Sequence, residues 1–289
     1  MLKSIRSKQI LVTGAIVLLV AFLFSRDIKG LVKPKEQTTN APASGQLMSE
    51  TSEQQIDLAE ISRTGKNMIN SGLASEITAL ENSYNTAADN DKVEAAKLLA
   101  QKWDDLEQSV PSALYLEIVA KESKTLPTWI KAGDMFLKAF DNSRDSILQP
   151  ALLQRANISY SNALSIDSAN AEAKTGMGIT IVNGMGAPMQ GIAMLLDVVR
   201  KDPKNIKANM SLGTFAIKSG QFDKAIIRFN DIIALKPSPD AYFYLATAYE
   251  NLNKNAEAID AYIKSKELAA NPTLSKFIDS KVLELKNKI

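Results

Sequence analysis

The chain has 289 residues and contains neither histidine nor cysteine. That excludes imidazole and thiolate metal sites, cysteine nucleophiles, disulfides and every Ser-His-Asp or Cys-His arrangement. Its 34 basic and 32 acidic side chains sum to +2, but seven of the basic ones lie in residues 1–35 against Asp27 alone. The remaining 254 residues stand at −4, and a mildly acidic body is a poor surface for nucleic acid. Hydrophobic residues at 45% are enough for most of the chain to fold around a packed core.

Residues 1–8 form a basic tail. Ile10 to Phe24 then run fifteen residues without a charge, which as a helix spans about 22 Å against a hydrocarbon core of roughly 30 Å. Adding Gln9 and Ser25 and letting Lys8 and Arg26 reach outward extends residues 9–25 to a minimal transmembrane helix. The run ends Phe24-Ser25-Arg26, without the small-x-small site of a cleavable signal peptide, so an uncleaved anchor is expected. The basic start places the short tail in the cytoplasm and the bulk of the chain outside. Residues 26–50 come next as a flexible linker. Their Lys, Thr, Pro, Ser and Gln cannot bury enough surface to offset the entropy of ordering.

From residue 51 onward helical periodicity dominates and no period-2 strand pattern stands out. Leu73, Ile77, Leu80, Tyr84 and Ala87 step by 4, 3, 4 and 3 along one helix face. Asp89-Asn90-Asp91 is expected to break that pattern and cap the next helix, which carries Val93, Ala96, Leu99, Trp103 and Leu106. The body is predicted to be all-α.

Self-similarity at a fixed period carries the main inference. Counting Ile206 as position 1, Leu212, Gly213, Phe222, Ala225, Phe229 and Pro237 fall at positions 7, 8, 17, 20, 24 and 32. Residues 239–271 place Leu245, Ala246, Tyr249, Ala258 and Tyr262 at 7, 8, 11, 20 and 24. Residues 171–203 give Met177 and Gly178 at 7 and 8, then Gly191, Leu195 and Pro203 after one extra residue. An earlier copy offers Trp129, Ala132, Gly133 and Phe136, with Ala156, Tyr160 and Ala163 beyond an insertion of eleven residues around Phe140–Pro150. Leu99, Ala100, Trp103 and Ala113 hint at a degenerate copy in 93–125, within a helical region at 51–125. Small residues at 8 and 20 permit the two helices of a unit to approach closely, and Gly220 suits a left-handed turn residue between them.

This pattern resembles the tetratricopeptide repeat family over 126–271. The resemblance implies an all-α solenoid of helix–turn–helix units, and the anchor makes the whole similar to bacterial membrane-anchored members of that family, with repeats on the periplasmic side of the inner membrane. It further implies a non-catalytic scaffold or adaptor that binds a protein or peptide, with no cofactor, metal or nucleic acid. The family's groove positions fall here on Ile130, Asp134, Lys138, Ile179, Val182, Asn183, Lys207, Met210, Thr214, Lys218, Phe243, Thr247 and Glu250. Their mixed apolar character suits a hydrophobic or helical segment. A fixed structural subunit of an envelope assembly is the alternative.

Two other features compete with this reading. Gly184 to Gly191 is glycine-rich but lacks the Lys-Ser/Thr of a phosphate loop and comes after a helix, so it reads as an inter-helix turn. The adjacent acids Asp104 and Asp105 point about 100° apart on a helix and read as a solvated face. Any catalysis would rest on carboxylates, lysines or hydroxyls alone. Thr273 to Ile289 carries an amphipathic stripe, Leu274, Phe277, Ile278, Val282 and Leu285, and is expected to cap the array as a helix over 272–289.

Overall fold

The computed structural model describes residues 56–289 apart from Met185. The anchor, the basic tail and the linker lie outside the described residues. Within them every regular element is an α-helix. No helix among the described residues is long and apolar enough to cross a membrane.

The described residues open with α1 (Leu58–Asn67), α2 (Ser71–Thr86), α3 (Asp89–Asp105) and α4 (Ser109–Ser123). Asp57 caps α1 by accepting from the Ala59 N–H at 2.8 Å, and Asn70 caps α2 by accepting from Leu73 at 2.9 Å. One expectation is corrected at the next junction. The cap of α3 is Ala88, in extended conformation and without a side-chain bond, while Asp89 and Asp91 sit inside the first turn. There their charges favour the positive end of the helix dipole rather than satisfying a single N–H. Ile77, Ala96, Leu99 and Trp103 are fully buried. Helix α4 is enclosed on nearly all sides, by α1, α3 and the helix after it, so residues Ala113 to Ala120 read as a nearly continuous apolar run without a stripe.

Four helix pairs come next: α5 (Leu126–Asn142) with α6 (Leu148–Ile166), α7 (Ala171–Gly184) with α8 (Pro188–Lys201), α9 (Ile206–Lys218) with α10 (Phe222–Leu235), and α11 (Pro239–Asn251) with α12 (Asn255–Leu268). Helix α13 (Pro272–Lys286) closes the order. Each helix packs on its chain neighbours, and the first helices of successive pairs also touch one another. Pro188, Pro239 and Pro272 each open a helix, where the missing N–H costs no hydrogen bond.

A recurring turn identifies the units. In the third pair Gly220 has φ +72° and the Gln221 N–H donates to the Ala216 carbonyl at 2.8 Å. In the fourth, Asn253 has φ +57° and Lys254 donates to Tyr249 at 3.0 Å. The same geometry appears in 93–125, where Glu107 has φ +57° and Gln108 donates to Trp103 at 2.9 Å. Helices α3 and α4 therefore share the turn of the third and fourth pairs. The two helices meet through Ser112, a small residue at position 20 whose hydroxyl donates to the Ala100 carbonyl at 2.8 Å.

Small residues are used in two ways at the crossings. At Gly178 and Gly191 the backbones approach directly: a Cβ on Gly191 would lie 2.5 Å from the Gly178 carbonyl oxygen. At Gly133 and Gly213 the room is filled by the position-24 ring of the second helix, Tyr160 and Phe229 respectively. Ala225 is fully buried. The eleven-residue insertion is absorbed mainly by lengthening. Helix α5 runs 17 residues and α6 runs 19, leaving a short turn in which Asp145 accepts from the N–H groups of Ile147 and Leu148. The glycine-rich stretch spans the junction of α7 and α8: Gly184 ends α7, Gly186 lies between the helices at φ +70°, and Gly191 is already inside α8.

At the C-terminal end, α13 buries Ile278 and Leu285 completely, with Leu274 and Val282 packed beside them. Lys281 donates to Glu250 at 2.8 Å and Lys266 to Asp279 at 2.5 Å, tying α13 to the last repeat.

Candidate functional site

A cleft of about 720 Å³ opens along the first helices of consecutive repeats. Helix α5 contributes Asp134, Leu137, Lys138, Asp141 and Asn142; α7 contributes Ile179 and Asn183. Helix α9 supplies Lys207, Ser211, Thr214, Phe215, Ile217 and Lys218, and α11 supplies Tyr244. Helical spacing explains the selection. Asp134, Leu137, Lys138 and Asp141 step by 3, 1 and 3 on one face of α5, and Lys207, Ser211, Thr214 and Lys218 step by 4, 3 and 4 on α9.

Most of the charge in the cleft is already engaged. The Asp134 carboxylate accepts from the Tyr160 hydroxyl at 2.6 Å and from the Lys207 ammonium at 2.6 Å. These bonds join α5, α6 and α9 across 73 residues of sequence. Burial, reinforced by the Asp134 charge, pushes the Tyr160 phenol far above its ordinary pKa, so it remains a proton donor. Lys138 reaches back to Asp104 on α3 at 2.5 Å. Lys218 has no carboxylate within ion-pair distance among the described residues; its ammonium lies 5.5 Å from the centre of the Phe215 ring. Asp141 is likewise without an ion-pair or hydrogen-bond partner among them. Desolvation at the cleft wall raises its carboxyl above the usual range, and the Lys218 charge opposes the shift.

Of the groove residues expected from sequence, seven line this cleft: Asp134, Lys138, Ile179, Asn183, Lys207, Thr214 and Lys218. The others are spent on packing. Ile130 is a buried residue of α5, and Val182 packs with the cluster of Leu195 and Phe215. Met210 joins the apolar cluster of the last repeats. Phe243 meets Tyr262 and Phe277, with ring centres 5.6 and 6.0 Å apart, and the Thr247 hydroxyl donates to the Phe243 carbonyl at 2.9 Å. Glu250 accepts from the Tyr262 hydroxyl and from Lys281, both at 2.8 Å. Helix α13 thus engages the last repeat where an open groove was expected.

Sequence reasoning missed Leu137, Asp141, Asn142, Ser211, Phe215, Ile217 and Tyr244. Asp141 and Asn142 were invisible for a specific reason. They fall at positions 16 and 17, which lie past the first helix of an ordinary unit. The insertion carries α5 through them. Of the two adjacent acids, Asp104 pairs with Lys138, and Asp105 accepts from Gln101 at 2.7 Å. No group of three Asp or Glu residues is placed to hold a metal ion among the described residues.

By their own packing, then, the described residues form an all-α stack of helix–turn–helix units. No protein-family model and no curated protein matches the sequence. Among solved structures, MamA is similar at 21% identity over 62% of this chain and 92% of its own, with a TM-score of 0.42. YrrB, described as a TPR protein with an unusual peptide-binding site, is 13% identical over 70% of this chain and 98% of its own, with a TM-score of 0.41. A thermophilic TPR protein of Thermus thermophilus is 17% identical over 78% of this chain and 100% of its own, at 0.37.

Proposed function

We propose that this chain is a non-catalytic scaffold that captures a segment of another protein in the cleft along α5, α7 and α9. The observation that carries the reading is that cleft itself: consecutive first helices present a recess lined by both apolar and polar side chains. Such a recess accepts a peptide or short helix through side-chain burial, with rim groups setting direction and register. In this reading residues 9–25 hold the scaffold at a bacterial inner membrane, and residues 26–50 tether the repeats on its outer side. The support is compositional: an uncharged run with a basic start, then a polar stretch.

A photo-crosslinking side chain at Asn183 in the full-length chain tests the binding site. It is expected to capture a defined segment of one partner, whereas the same group at exposed Ile227 on α10 should not. Equal and indiscriminate capture at both positions would refute the cleft as the binding site. For the membrane arrangement, a reporter active only outside the cytoplasm and fused after Ile289 is expected to be active. A membrane-free product shortened by about 25–45 residues would show a cleaved signal instead.

A further inference from the structure

With the cleft taken as the binding site, a reading on which the inference below rests, the lining charges bear on the chemistry of the bound segment. They divide into two groups. Asp134, Lys207 and Lys138 are engaged in ion pairs that run between repeats. Asp141 and Lys218 remain, each exposed and each without an ion-pair partner among the described residues. They are the penultimate residue of α5 and the last residue of α9, so both stand at the same kind of helix end on one rim. The same cleft is lined by Phe215, Ile217 and Tyr244. Asp141 reaches this rim because the insertion lengthens α5, which makes the pair a property of this chain and not of the repeat in general.

We infer that the segment recognised by the cleft carries a large apolar residue flanked on one side by an acidic and on the other by a basic side chain. The apolar residue enters against Phe215, Ile217 and Tyr244. The acidic group meets the Lys218 ammonium, and the basic group meets the Asp141 carboxylate. Two opposite unpaired charges on one rim select against segments bearing a single sign and fix the direction in which the segment lies.

The test pans a random peptide library displayed on phage against the full-length chain in detergent micelles. Enriched peptides are expected to share the acidic, apolar and basic pattern. Lys218→Glu should remove the preference for the acidic residue alone, and Asp141→Lys the preference for the basic one alone. Each reversal should weaken a peptide selected on the parent by about three- to fivefold, the worth of a partly exposed ion pair. Lys218→Met and Asp141→Asn, which keep side-chain size, should shift the selection in the same directions. Enrichment that disappears in Ile179→Arg but ignores all four charge changes would preserve the cleft and overturn this ligand chemistry. No enrichment over background would overturn both.

Discussion

Gly176→Ala should destabilise the repeat domain by about 2–3 kcal/mol, although alanine is favoured over glycine in a helix by about 1 kcal/mol. The sign reverses because of what the new methyl group meets. Its Cβ would lie 2.5 Å from Cε2 of Tyr160 and closer still to Cζ and Cε1. That ring cannot swing away: it is fully buried, its hydroxyl donates to Asp134, and it also packs against Gly133. Two glycines from the first helices of adjacent repeats thus form one slot for one aromatic ring. Urea or thermal unfolding of a 51–289 fragment measures the effect, and a midpoint equal to or above the parent would refute the slot. Adding Tyr160→Leu to Gly176→Ala should recover part of the loss, because the smaller side chain leaves room for the methyl group.

Removing residues 272–289 should have a larger effect. Helix α13 buries Ile278 and Leu285 fully and Leu274 and Val282 in part. At about 1.5–3 kcal/mol for each fully buried side chain, its loss costs on the order of 5 kcal/mol locally. It also strips Phe243 of Phe277 and removes Lys281 from Glu250. Because each unit of a stacked array leans on its neighbours, the damage should spread inward from α11 and α12. The truncated fragment is expected to melt at lower temperature, aggregate, and lose hydrogen-exchange protection first in residues 239–268. A truncated fragment that melts like its parent but no longer binds lipid vesicles would assign 272–289 to a membrane surface instead.

The helical units are legible in the sequence because their signals are local. A small residue at 8, a small residue at 20 and a large one at 24 lie within one unit, and their spacing records the contact between two neighbouring helices. Gly213 with Phe229, and Gly178 with Gly191, are contacts of this kind. The left-handed turn residue was readable at Gly220 for the same reason. It was not read at Asn253, whose short polar side chain tolerates positive φ, nor at Glu107, where no residue type marks it.

The cleft was only half legible. Groove positions taken from the resemblance located Asp134, Ile179, Asn183 and Lys218, yet in the last repeat the groove positions at Phe243 and Glu250 are engaged by α13. Whether a groove position stays open depends on which helix packs over it, and no spacing within one unit records that. The insertion at Phe140–Pro150 reads in sequence as an interruption. In three dimensions it adds length to α5 and brings Asp141 to the rim beside Lys218. The sequence by itself determined the helix pairs, because their periodicity is set by neighbours a few residues apart. Only the tertiary structure decided which charges are free, because the partners of Asp134 and Lys138 arrive from 73 and 34 residues away.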